Sequence, residues 1–212
     1  MLFDMDEKAP DPLKSVLLKT AFHEAGHAVV GNRLGLHFTH VDMKSDSEIL
    51  SLMESAGFKN PDPDDFGCVH FDDPILELVG EEPSQLENRD EFSLWIKTFR
   101  INAIKSLAGE VAEYKRPNSL EDDSLKNFLE GQRHFQELTE TLDSAFHDSD
   151  FSLNLEESAE NIIQGCITQA EKMVTDHWNS IEALAGVLLN RRKIFENEAL
   201  IIMHKAEEKM SR

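Results

Sequence analysis

The sequence predicts a mainly α-helical fold, a helical bundle with a small β-sheet beside one long helix near its start. Three observations lead there. Apolar residues recur at helical spacing from Leu13 to Leu34. Strand-type residues are confined to two short segments, Phe38 to Met43 and Gly67 to Phe71. From about Glu87 onward, one helical stripe follows another to the end.

In order along the chain, Leu13, Val16, Leu17, Leu18, Phe22, Ala25, Val29, Val30 and Leu34 mark a helix of about five turns, and Gly35 offers a stop just past its end. Gly67-Cys68-Val69-His70-Phe71 alternates as a strand does. Between the strands, Pro61, Pro63 and several aspartates break regular structure. Residues 44–66 therefore read as a surface excursion with a short helix around Ile49 to Met53. Phe92, Trp95, Ile96, Phe99, Ala103, Leu107 and Val111 form the next stripe, which Pro117 closes. Leu125, Phe128, Leu129, Phe135, Leu138 and Leu142 form another. Leu155 through Trp178, Ile181 through Asn190 and Glu196 through Met210 supply three more. The stripes have no fixed period, which excludes a solenoid. One domain over 1–212 is expected, with a long helix at 13–35, strands and an acidic excursion at 36–90, and a helical bundle at 91–212.

Composition narrows the partners. With 21 Lys+Arg against 41 Asp+Glu, the formal net charge of the 212 residues is −20. Such an excess repels phosphate backbones and anionic lipid, so neither nucleic acid nor a membrane surface is an expected partner. An apolar fraction of 40% is enough for a core, which excludes disorder throughout. No apolar run approaches membrane-spanning length and no secretory leader is evident, so a cytoplasmic protein is expected. Cys68 and Cys166 lack metal-site spacing and read as small buried hydrophobes.

Chemistry enters with His23-Glu24-Ala25-Gly26-His27, an H-E-x-x-H segment inside the first helix. Residues four apart stand one turn above each other, so both imidazoles can reach one Zn2+ ion. Glu24 points about 100° round the helix, placed to take a proton from water without binding the metal. Flanking Phe22, Ala28 and Val29 are apolar, so bare histidines there would be buried without partners. Gly26 costs about 1 kcal/mol against Ala in a helix, which makes sense if another backbone approaches closely. A catalytic zinc has three protein ligands, and the acidic cluster Leu120-Glu121-Asp122-Asp123-Ser124 supplies candidates for the third. The same cluster also suits a helix N-terminus with no metal at all. His37, His40 and His70, on the strand segments, read as surface or strand-packing residues, with an inhibitory or alternative ligand role as the second reading. His134, His147, His177 and His204 read as ordinary helix residues. Glu110 and Glu113 could add a third ligand from a helix.

Thr20-Ala21-Phe22-His23-Glu24-Ala25-Gly26-His27-Ala28-Val29-Val30 resembles the T-A-x-H-E-A-G-H-A-V-V signature of the FtsH-type proteases, peptidase family M41. Leu107-Ala108-Gly109-Glu110-Val111-Ala112-Glu113 is similar to that family's L-A-G-R-x-A-E-E helix, whose small residues pack beside the zinc helix, and this match implies hydrogen-bonding support for Glu110 and Glu113 rather than ligation. Gly67 to Phe71 resembles its G-x-x-x-F cleft strand. Ala170 to Val174 through Leu188-Leu189 resembles its late helix pair.

The resemblance implies an FtsH-peptidase-like fold and a zinc-dependent endopeptidase, with His23 and His27 as ligands and Glu24 as general base. Its third ligand is an aspartate in a G-A-x-N-D segment. Matching that pair to Asp122-Asp123 implies Asp123, then Asp122, then Glu121, although Ser119-Leu120-Glu121 replaces the G-A-x leader. No G-x-x-x-x-G-K-[ST] occurs, so a stand-alone form without the AAA ATPase module is expected. It would act on unfolded or flexible polypeptides, or on ones presented by a separate ATPase or adaptor. A catalytically silent, zinc-stabilised binding protein of the same fold is the alternative.

Overall fold

The computed structural model describes residues 11–55, 57, 62–74, 86, 88–117, 124–148 and 158–209. Helix α1, Pro12–Arg33, begins where the Asp11 carboxylate accepts from the Leu13 N–H and Pro12 takes the first turn. It ends at Leu34, after which Gly35 turns the chain at φ +87°, a conformation that suits glycine. From Thr20 to Gly31 every residue of α1 is buried, so it is the central helix of the domain. Its neighbours are α3 (Arg89–Lys115), α7 (Trp178–Arg191) and the strands β1 (Phe38–Met43) and β2 (Gly67–Phe71).

Helix α2, Asp46–Ser55, extends the short helix expected around Ile49 to Met53 and buries those two residues in the core. A single 3-10 turn, Pro63–Asp65, capped by Asp62, leads directly into β2. Asn88 caps α3, its side chain accepting from the Asp90 and Glu91 N–H groups at 3.0 Å. The stripe expected over Leu125 to Leu142 is two helices, α4 (Leu125–Glu130) and α5 (Arg133–Asp148), separated at Gly131-Gln132. Helices α6 (Ala159–Asp176) and α8 (Glu196–Glu208) complete the bundle with α7.

Two expectations are corrected. Strand structure does not end before residue 87: β3, Lys193–Phe195, follows α7 and pairs antiparallel with β1, giving the order β2-β1-β3. Three residues between two helices are too short for a periodicity signal, and the reversal is made at Arg192, with φ +62°. Cys68 is exposed, because it lies on the outward face of β2, while Cys166 is buried as expected. Among the described residues, no helix is long and apolar enough to cross a membrane.

Gly26 sets the α1–α3 approach. A Cβ there would lie 2.5 Å from the Ala108 carbonyl oxygen and 2.8 Å from the Ala112 Cβ. The mid-helix glycine thus marks the close backbone contact that its conformational cost implies, and α3 meets it with alanines.

Candidate metal centre

Four donors converge at the middle of α1. His23 and His27 come from that helix, Asp64 from the 3-10 turn and His134 from the first turn of α5. One ligand atom from each lies within 4.8 Å of all the others. His23 Nε2 is 2.9 Å from His27 Nε2 and 3.3 Å from Asp64 Oδ1. The other carboxylate oxygen, Asp64 Oδ2, is 3.5 Å from His134 Nε2. Both α1 imidazoles are buried, whereas Asp64 and His134 are about one-fifth exposed.

The three imidazoles share one arrangement: Nδ1 faces α3 and Nε2 faces the cluster. His27 Nδ1 donates to the Lys105 carbonyl oxygen at 2.8 Å, since a carbonyl can only accept. His23 Nδ1 is 3.3 Å from the Glu113 carboxylate, and His134 Nδ1 is 3.6 Å from that of Glu110. Glu110 also accepts from the His134 backbone N–H at 3.1 Å, which fixes the start of α5. The buried Glu113 is further paired with Lys19 at 3.0 Å. The hydrogen bond holds the His27 ring, the His23 and His134 contacts are ion pairs rather than hydrogen bonds, and all three leave Nε2 free to ligate. Gly109 completes the seat: a Cβ there would come within 2.4 Å of the His27 ring.

The electrostatics of the cluster fit this layout. Burial opposes charge on His23, but contact with Asp64 and Glu113 outweighs it and pushes the imidazole up to about 10. Burial, with the charges of His23 and His134 beside it, holds His27 well below its ordinary value. Asp64 is kept below the usual carboxylate range, burial being outweighed by the His23 contact and the neighbouring imidazoles. His23 Nε2 thus faces an imidazole nitrogen at 2.9 Å and a carboxylate oxygen at 3.3 Å, surroundings that favour a positive charge there.

Glu24 leaves α1 on the side of β2. It is buried, its Oε1 has no hydrogen-bond partner, and burial pushes its carboxyl up to about 8. Gly67 passes directly over it, so that a Cβ at position 67 would lie 2.7 Å from Glu24 Oε1. Both groups line a cleft of about 270 Å³ whose walls also include His27, Asp64, Val69, Phe71, Lys105 and His134. Lys105 holds its ammonium 5.0 Å from the centre of the Phe71 ring, and burial lowers it to about 8.

The residues fit a divalent transition ion. Two ligand nitrogens on a tetrahedral zinc lie ~3.3 Å apart when each is ~2.0–2.1 Å from the ion, close to the spacing around His23 Nε2. Buried imidazole nitrogens that approach so closely need a proton or a metal between them, and Glu24 Oε1 is a polar atom left unsatisfied beside them.

The structure thus brings His23, His27 and Glu24 together at one place. Asp122 and Asp123, with Glu121, lie outside the described residues. Asp64 and His134 were missed by sequence reasoning, which read His134 as an ordinary helix residue. The signals were thin: Asp62-Pro63 is a cap-and-proline start to a turn, and His134 follows the Gly131 helix break. The supporting role expected for Glu110 and Glu113 agrees with their contacts. A scan against protein-family models finds no match, and a search of curated proteins finds none either.

Proposed function

We propose that the chain is a zinc-dependent metallopeptidase of the M41-like kind, acting on unfolded or flexible polypeptides. The observation that carries this reading is the buried Glu24 carboxylate, its Oε1 without a hydrogen-bond partner, in a cleft beside the His23–His27–Asp64–His134 cluster. His23, His27 and Asp64 would hold the ion, with Asp64 in the third position that the resemblance assigns to an aspartate. When bound, zinc acidifies water and polarises a carbonyl. Glu24 accepts a proton as water adds to the scissile carbonyl, then passes it to the amine nitrogen as the C–N bond breaks. Among the described residues β2 pairs with β1 on one side only, so an extended peptide can pair along its other edge beside Glu24.

The test is to incubate zinc-loaded protein with an unfolded polypeptide and sequence the products. New amino termini that disappear with a chelator and return with zinc support the proposal. Loaded protein that cleaves nothing refutes it.

A second reading rests on one observation, the presence of four donors rather than three. If His134 is also a ligand, the shell is closed as in structural zinc sites, and the protein is a zinc-stabilised binding module.

Both readings require His23 to lose its proton before it can ligate. Below about 10 that proton is present, so ion uptake expels it, and affinity rises with pH. Near neutrality Glu24 is largely protonated too, and a cation beside it favours the ionised form. Titrations in two buffers of different ionisation enthalpy at pH 7 are expected to show about one to two protons released per zinc.

Substitution at Gly67 separates binding from chemistry. Gly67→Ala would set a Cβ 2.7 Å from both Cγ and Oε1 of the buried Glu24, so that side chain must shift along its length and the melting temperature is expected to fall. Zinc content should be retained, while peptide hydrolysis falls by about tenfold or more because the base has moved.

A further inference from the structure

The outward face of the sheet carries a second convergence of metal-ligating groups, separate from the buried cluster. On β1, Phe38, Val41 and Met43 are buried, whereas His40 and Asp42 face outward. An irregularity in the pairing between Phe38 and His40 brings His40 opposite His70 of β2. The two rings stack with centroids 3.9 Å apart and 17° between planes. Both turn Nε2 toward one oxygen, Asp42 Oδ2, at 3.2 Å from His40 and 3.5 Å from His70. The donor atoms of all three residues lie within 4.8 Å of one another. Thr39 Oγ1 is 2.9 Å from His40 Nδ1, so that ring is held by its other nitrogen, as the His27 ring is.

We propose that His40, Asp42 and His70 form a second, solvent-facing site for a divalent transition-metal ion, with water completing its coordination. Two imidazoles and a carboxylate suit Zn2+, Cu2+ or Ni2+ rather than Mg2+ or Ca2+, which prefer all-oxygen shells. Two close imidazoles repel each other once protonated, so an ion shared between them and Asp42 is the better use of the geometry. One group opposes it: Lys193 of β3 places its ammonium 3.8 Å from Asp42 Oδ2. The ligands come from both strands, so a bound ion ties β2 to β1. Because Gly67, Val69 and Phe71 of β2 line the cleft, the outer ion stiffens its wall without entering it. The site does not depend on the interior cluster being catalytic.

The experiment is metal analysis after equilibrium dialysis against graded Zn2+, together with Cu2+ electron paramagnetic resonance. The intact chain is expected to take up two ions, the weaker lost in His40→Gln and in His70→Gln while the tighter remains. In a His23→Ala/His27→Ala protein, the Cu2+ spectrum should show nitrogen coupling that His70→Gln removes. Lys193→Ala should tighten the weaker site severalfold and leave the other unchanged. A single equivalent at saturating Zn2+ that survives the His40→Gln/His70→Gln double substitution would overturn the proposal, and so would a second equivalent that survives it; a single equivalent lost in that double variant would support it and count against the interior site instead. Circular dichroism of each variant distinguishes lost binding from lost folding, and Lys193→Ala leaves all three ligands in place.

Discussion

Glu24→Gln is expected to retain zinc and lose peptide hydrolysis by about 10²–10⁴-fold, the range a positioned general base supplies. The substitution is nearly isosteric, so the packing of α1 beneath β2 survives. The amide cannot accept a proton from water and deliver it to the leaving amine. Metal content and melting temperature should match those of the parent protein, while kcat falls. The carboxyl's raised pKa, caused by burial, is what makes this residue responsive to a nearby cation. If cleavage persists in Glu24→Gln at the parent rate, another group is the base and the assignment of this carboxylate fails.

Asp64→Ala and His134→Ala are expected to diverge. Structural zinc sites bind with roughly 10–16 kcal/mol across four ligands, so deleting one ligand costs ~3 kcal/mol, or ~100-fold or more in affinity. Asp64→Ala should show that loss, because its Oδ1 is as close to His23 as a shared ion requires. His134→Ala should cost about tenfold, as expected of a residue that braces Asp64 Oδ2 from outside the shell. Competition with a chromophoric chelator measures both. Losses of ~100-fold in each variant would identify a closed four-ligand shell and favour the binding module over the peptidase. An undiminished affinity in Asp64→Ala would return the third ligand to Asp123 or Asp122.

Much of this was legible before any coordinates. The helical spacing of α1 and the four-residue separation of His23 and His27 are local properties, carried by the periodicity of a single element. Gly26 showed through its cost, since a mid-helix glycine calls for a close neighbour, and the backbone of Ala108 is that neighbour. Asp64 and His134 were not legible for the opposite reason. One is about forty residues from the two histidines in sequence and the other more than a hundred, and only the packing of the 3-10 turn and α5 brings them in. An aspartate in an aspartate-rich loop and a histidine in a helix carry no marking of their own. β3 escaped because three residues cannot display a period, and Cys68 because alternation does not say which face of a strand is covered.

The contacts along α3 have a wider consequence. Lys105, Gly109 and Glu113 recur every four residues, one turn apart, and between them they anchor or make room for both histidines of α1. The H-E-x-x-H pentapeptide is thus one half of a two-part key whose teeth must stay in step. Inserting one amino acid between Lys105 and Glu113 would swing everything beyond it by about 100°, leaving the pentapeptide intact but its grip on metal undone. For the same reason, transplanting those five residues onto another scaffold would carry the ligands without the partner helix that aims them.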